Sequence, residues 1–192
     1  MNTNANRTKW ISIAAIVLVV GAGLWWLMGE QSAIKSNTAS TTPQTTTDAN
    51  GVVVRSSTGT VANVIADLET GGRFSQLLSS TGVGATLTGK GPYTVFVATD
   101  GAFGRLVPGT VNSLSAAEQK RLVQYHIVAG KRLDVDALKS GQIQALSRDT
   151  LNFQVDPTKK AVYVNSGQVL QAYTASNGIV YVINSVLVPP KQ

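Results

Sequence analysis

Nineteen consecutive residues without a charged side chain, Trp10 to Met28 (WISIAAIVLVVGAGLWWLM), divide this 192-residue chain into a membrane-seeking segment and everything else. A helix over this run, at ~1.5 Å per residue, is about 28 Å long and matches a hydrocarbon core of about 30 Å. It is apolar on every face, unlike a helix on the surface of a soluble domain. Arg7 and Lys9 precede it, Glu30 follows it, and Trp10 sits at one end with Trp25 and Trp26 at the other. The positive-inside rule and the interfacial preference of tryptophan predict a cytoplasmic start over 1–9 and a transmembrane signal anchor over 10–28. The remainder then lies outside, in a periplasm or the extracellular medium. A cleaved signal peptide is the competing reading and would give a secreted protein. Its small-residue cleavage site is poorly formed, because Gly21-Ala22-Gly23 lies inside the run and Gln31-Ser32-Ala33 begins with a bulky side chain.

From residue 29 to 51 the composition shifts to Ser, Thr, Asn, Gln and Ala, with SNTASTTPQTTTDAN as its body and no periodic apolar pattern. Too little apolar surface is present there to offset the entropy of ordering, so a flexible tether is expected. At ~5–6 Å times the square root of its length it reaches about 25 Å on average, enough to hold a domain clear of a membrane surface. Residues 52–192 remain, close to the commonest size of one domain with its own core.

Composition narrows the chemistry of that domain. The chain has no cysteine and one histidine, His126. This excludes a disulfide framework, a thiolate or multi-histidine metal site and a cysteine nucleophile, and it makes any Ser-His-Asp arrangement depend on His126. No Gly-x-Ser-x-Gly elbow is present. Neither catalytic residues, a metal nor a cofactor is therefore expected, and binding is what remains. The net charge is +6, and from Val52 onward thirteen basic residues face eight acidic ones. The dipeptides Lys120-Arg121, Lys131-Arg132 and Lys159-Lys160 are scattered and unaccompanied by aromatics, which argues for solvated faces and against a nucleic-acid site. The surplus does favour salt-sensitive attraction to an anionic polysaccharide.

Hydrophobic spacing predicts helices first and strands later. Val61, Val64, Ile65 and Leu68 follow helical spacing behind Thr60 as N-cap, and Phe74, Leu77 and Leu78 suggest a second short helix between Gly71-Gly72 and Gly82. Tyr93–Val97 reads as a buried strand launched from Gly91-Pro92. A short helix carrying Ala102, Phe103 and Leu106 follows, capped by Thr99 or Asp100 and ended by Pro108-Gly109. Ser115-Ala116-Ala117-Glu118 is a capping box opening a helix with Leu122 and Val123, which runs into an extended Tyr125–Val128. Another short helix is expected from Asp134, with Leu138 inside, Gly141 closing it, and Asp134 and Asp136 serving its cap and dipole. The period then becomes two, through Leu151, Phe153 and Val155, Val162 and Val164, and Val169 and Gln171, before a long run from Gly178 to Val188. Asn177-Gly178 reads as a positive-φ turn between antiparallel strands. The order predicts an α+β fold.

Three of these segments resemble a known family. Thr94–Phe103 (TVFVATDGAF) is similar to the first signature of fasciclin (FAS1) domains, TVFAPT(N/D)xAF. Leu122–Val128 (LVQYHIV) resembles the family's central Tyr-His segment, and Asn177–Pro189 (NGIVYVINSVLVP) resembles its second signature, NGVIHVIDxVLLP. They fall in the family's order, over about Thr58 to Pro190. Ala98 stands where the family usually has Pro and Gly101 where Glu is common. Tyr181 replaces the frequent His and Asn184 the frequent Asp, which removes two titrating groups. The resemblance implies a wedge or sandwich of β-strands with a helical layer, in agreement with the α+β reading. It also implies an adhesion module that binds a protein or a polysaccharide at the cell surface or in the matrix, without chemistry of its own.

Tyr125 and His126 are the candidate binding residues, because in animal relatives the Tyr-His segment is implicated in cell-surface receptor contacts. The alternative is that both sit at a helix-to-strand junction and satisfy buried backbone groups. The family also implies a second function, a carrier of an apolar small molecule such as a carotenoid or lipid. Val61, Ile65, Leu68 and Phe74 are then the candidates to line its groove, and they serve equally as ordinary core.

Overall fold

The computed structural model describes residues 44–191. The expected cytoplasmic start, the expected membrane span over 10–28 and most of the expected tether lie outside them. Among the described residues no helix is long and apolar enough to cross a membrane. The helices are α1 (Val61–Asp67), α2 (Gly72–Ser80), α3 (Asp100–Gly104) and α4 (Ala116–Tyr125), with 3-10 turns over Val83–Thr88 and Val135–Leu138. The strands are β1 (Thr45–Thr47), β2 (Val53–Ser56), β3 (Tyr93–Ala98), β4 (Ile127–Ala129), β5 (Ser140–Gln144), β6 (Thr150–Asp156), β7 (Ala161–Val164), β8 (Gly167–Ala175) and β9 (Gly178–Ile183).

β3 and β9 form the centre of the sheet. They run parallel from Tyr93 opposite Gly178 to Ala98 opposite Ile183, and β9 is buried at every position. Strands covered on both faces read as continuous apolar runs, as both do here. The sheet order is β4-β3-β9-β8-β7-β6-β5, and β8 divides its free edge between two partners. Gly167 and Gln168 pair with β7, whereas Gln171–Thr174 pair in parallel with β2, which carries β1 on its far side. A bulge between Val169 and Gln171 bends β8 at this handover and breaks the expected alternation. The β7–β6 arm turns back over the centre of the sheet: the Phe153 ring on β6 lies 5.9 Å from Phe96 on β3, which stacks at 5.5 Å on Tyr181 of β9. These contacts close the wedge. α1 packs against β3 and β9, and α2 delivers Phe74 to the junction between α4 and β4.

Local chemistry accounts for the helix ends. Thr60 and Asn63 form a capping box on α1, and Ser115 and Glu118 form the expected one on α4. Thr99 caps α3. Leu68 is the C-cap of α1 rather than a residue inside it, and Tyr125 completes α4 rather than starting a strand. The helix expected from Asp134 is a single 3-10 turn. Asp134 makes no side-chain cap there and pairs with Arg132 instead, while Gly141 belongs to β5.

Two differences have long-range causes. Thr45–Thr47, within the stretch read as tether, pair with β2 in a hairpin closed by Asp48, whose carboxylate accepts the Val52 N–H at 2.6 Å and the Asn50 amide at 3.0 Å. Gly178 is not a positive-φ turn residue, since it is absent from the left-handed glycines. It is glycine because any side chain would overlap the Tyr93 carbonyl of the parallel neighbour β3. The left-handed residue is Gly91, at φ +72, where a side chain would overlap the Asn177 carbonyl.

Candidate functional site

α4 ends by placing Tyr125 and His126 in the core. The Tyr125 hydroxyl donates to the Thr150 carbonyl at 2.9 Å and accepts from the Asn165 amide at 2.8 Å. Its side chain is 4% exposed and His126 is fully buried, with the Phe74 ring 5.1 Å away. The Leu187 N–H donates to His126 Nε2 at 3.0 Å, so that nitrogen carries no proton. The proton therefore sits on Nδ1, which donates to the Leu122 carbonyl at 2.8 Å. Burial holds the imidazole well below its ordinary range, at about 4. Both nitrogens are committed to backbone groups, and the ring ties the end of α4 to the C-terminal segment.

The other signature residues are likewise engaged inside the fold. The Asn177 side chain accepts from the Val61 N–H at 2.7 Å and donates to the Leu87 and Gly89 carbonyls at 2.9 and 2.8 Å, so one amide joins α1 to the following 3-10 turn. Thr94 Oγ1 donates to the Lys131 carbonyl and accepts from the Leu133 N–H, each at 2.9 Å. Tyr181, at the position of the family's frequent His, donates to the Leu133 carbonyl at 2.6 Å, and burial pushes its phenol up. Asn184 accepts from the Gln168 N–H at 2.9 Å.

Among the described residues, one open surface feature is a groove of about 670 Å³ between α2 and the segment that follows α3. One wall is the outer face of α2, with Arg73, Gln76, Leu77 and Ser80 at i, i+3, i+4 and i+7, while Phe74 and Leu78 turn into the core. The other wall is a loop folded by its own turns. Thr110 Oγ1 donates to the Val107 carbonyl at 2.7 Å and the Ser113 N–H to the Gly109 carbonyl at 2.8 Å. Gln119 of α4, itself part of the lining, pins the loop, its amide donating to the Val111 and Leu114 carbonyls at 3.2 Å each. The wall is thus formed before anything binds. Leu77, Phe103, Leu106 and Val111 supply apolar floor, and Val107 stands on the rim with 76% of its surface exposed. Arg73 is the one charged residue in the lining.

Sequence reasoning missed this groove, reading Pro108-Gly109 as a helix stop and Leu77 only as part of the apolar spacing of a short helix. Its local signal is the polar stripe on α2 opposite a valine beside Pro-Gly. The four residues considered for an apolar carrier groove do not line it: Val61, Ile65 and Phe74 are core residues at 0–1% exposure, and Leu68 packs against them. One residue of each basic dipeptide is held in an ion pair. Arg121 makes a two-point contact with Asp149 at 2.7 and 3.1 Å and holds that carboxyl below its usual range, Arg132 pairs with Asp134, and Lys159 with Asp156.

A fasciclin domain model matches residues 72–189. Protein sll1483 of Synechocystis sp. is 35% identical over 153 residues, covering 76% of this chain and 83% of that protein. Transforming growth factor-beta-induced protein ig-h3 of Oryctolagus cuniculus is 35% identical over 69% of this chain, and stabilin-2 of Mus musculus 34% over 62%. The chain spans 20% and 5% of those two proteins. A solved FAS1 domain pair from the insect cell adhesion molecule Fasciclin I has a TM-score of 0.48 at 20% identity, covering 62% of this chain and 45% of that one. The matched residues run from α2 through the Tyr-His junction to the segment after β9, and the chain belongs to the fasciclin domain family.

Proposed function

We propose that this protein is an adhesion module that binds another protein or a polysaccharide at the cell surface or in the matrix, with no reaction of its own. Residues 10–28 anchor it in the membrane, and the tether carries the domain on the outer side. The observation that carries the reading is the division of labour in the domain. The polar signature side chains are spent on backbone groups inside the fold, whereas a preformed groove with an apolar floor stays open at the surface. A rigid fold with a preformed concavity suits recognition, because little ordering cost is incurred on binding. The occurrence of fasciclin domains in adhesion proteins agrees with this.

The test uses the full-length chain in detergent, immobilised and exposed to envelope and matrix fractions of its own cells beside a charge-matched control protein. Retention above the control, with a polysaccharide component that weakens as salt rises, is the expected result. Retention equal to the control would overturn the proposal. An intact mass near 20.1 kDa and protease access to the domain on whole cells are expected of the anchored, outward-facing form.

A further inference from the structure

We infer that the groove beside α2 takes an extended acidic peptide segment of a partner protein, its aliphatic side chain on the Leu77–Phe103–Leu106 floor and a carboxylate paired with Arg73. The inference rests on the binding-module reading and names the ligand class for that site. Charge complementarity carries it. The Arg73 guanidinium stands in the groove wall and makes no ion pair or side-chain hydrogen bond with the described residues. A planar guanidinium in that position matches a carboxylate two-pronged. No carboxylate stands in the groove lining beside this charge. Asp100, whose carboxylate accepts the Arg73 backbone N–H at 2.8 Å, lies outside the lining.

The rest of the lining selects a peptide over the other anionic candidate, a polysaccharide. Sugar rings favour an exposed aromatic face, and the lining's one aromatic, Phe103, is 6% exposed. The floor instead suits a branched aliphatic side chain, whose burial removes apolar surface from water. The amides of Gln76 and Asn112 on the walls offer both donors and acceptors, which is what an extended backbone requires. Alternation along such a segment lets an apolar residue meet the floor while its neighbours keep their carboxylates at the rim.

The experiment titrates the full-length chain in detergent with fluorescein-labelled Asp-Leu-Glu-Leu-Asp, with its Asn/Gln counterpart, and with polygalacturonate as competitor. The acidic peptide is expected to bind about tenfold tighter than the amide version, and Arg73→Glu to abolish that preference, while Lys131→Glu, exposed and outside the groove, changes binding less than about twofold. Leu77→Ser is expected to weaken both peptides together. Equal affinity for the two peptides, an acidic preference unchanged by Arg73→Glu, or polygalacturonate binding that Arg73→Glu weakens while the peptides fail to bind would each overturn the inference. Retention on envelope fractions that survives all of these outcomes leaves the adhesion reading standing and removes only the peptide. Loss of retention together with peptide binding removes both.

Discussion

Acid should loosen this domain through one residue. The His126 Nε2 must stay unprotonated to accept the Leu187 N–H, and burial lowers the folded value to about 4 against 6.5 for a free imidazole. The folded protein therefore binds this proton less readily than the unfolded chain. Its contribution to stability is complete above about pH 6.5 and is lost as pH falls toward 4. The difference between 6.5 and about 4, at ~1.36 kcal/mol per pH unit, amounts to about 3 kcal/mol, most of it gone by pH 4.5. That is a sizeable part of the ~5–15 kcal/mol by which a domain is normally stable. Urea unfolding followed by tryptophan-independent circular dichroism at steps from pH 7 to 4.5 measures it. Stopping at pH 4.5 keeps the loss from Glu118, Asp149 and Asp156 small, because a lowered carboxyl gives up its contribution only as pH nears and passes its ordinary value, 4.5 for Glu and 3.8 for Asp. Because His126 is the chain's one histidine, its ring-proton NMR signals identify themselves in a tag-free protein and should stay in the neutral form at pH 5. Stability that is flat from pH 7 to 4.5, or a ring that titrates near 6.5 in the folded protein, would refute the reasoning.

Other substitutions probe separate parts of the account. Gly178→Ala forces a side chain into the Tyr93 carbonyl and should cost about 4 kcal/mol or prevent soluble expression, read by thermal unfolding and yield. Asn177→Ala strands a buried N–H at the start of α1 and two carbonyls near Leu87, so a loss of about 3 kcal/mol is expected in urea unfolding. A loss below about 1 kcal/mol would show that the amide is not the hub described. Arg121→Ala removes a partly exposed two-point contact with Asp149 and should cost about 1 kcal/mol at pH 7. Since the Asp149 carboxyl is held low in the fold, that difference should be present above pH 3.8 and shrink below it; a difference that persists undiminished at low pH would contradict the ion-pair account.

Local physics was readable wherever cause and effect lie close in the chain. The N-cap at Thr60, the capping box at Ser115, the switch to a period of two at Leu151, and the apolar runs of β3 and β9 all appear in the structure at or near the expected residues. What escaped depends on partners far away. Asn177-Gly178 carries the local mark of a positive-φ turn, but the constraint on Gly178 is a carbonyl 85 positions earlier, brought close by parallel pairing with β3. Thr45–Thr47 have tether-like composition and become a strand only because β2 presents an edge. His126 stood out as a rare residue type, yet its partner Leu187 is 61 residues away and no local pattern connects them. The groove is the extreme case. It forms between α2 and a loop that Gln119 ties to α4, and each wall alone looks like an ordinary polar surface.

The central claim is that recognition belongs to the groove rather than to the buried Tyr-His pair. Retention of the full-length protein on envelope fractions of its own cells tests it, with three surface variants compared. Wild type should be retained, Leu77→Asp and Val107→Asp should each lose about tenfold, and Leu170→Asp, exposed but outside the groove, should match wild type. Equal retention of all four, or none above a charge-matched control, would contradict the account.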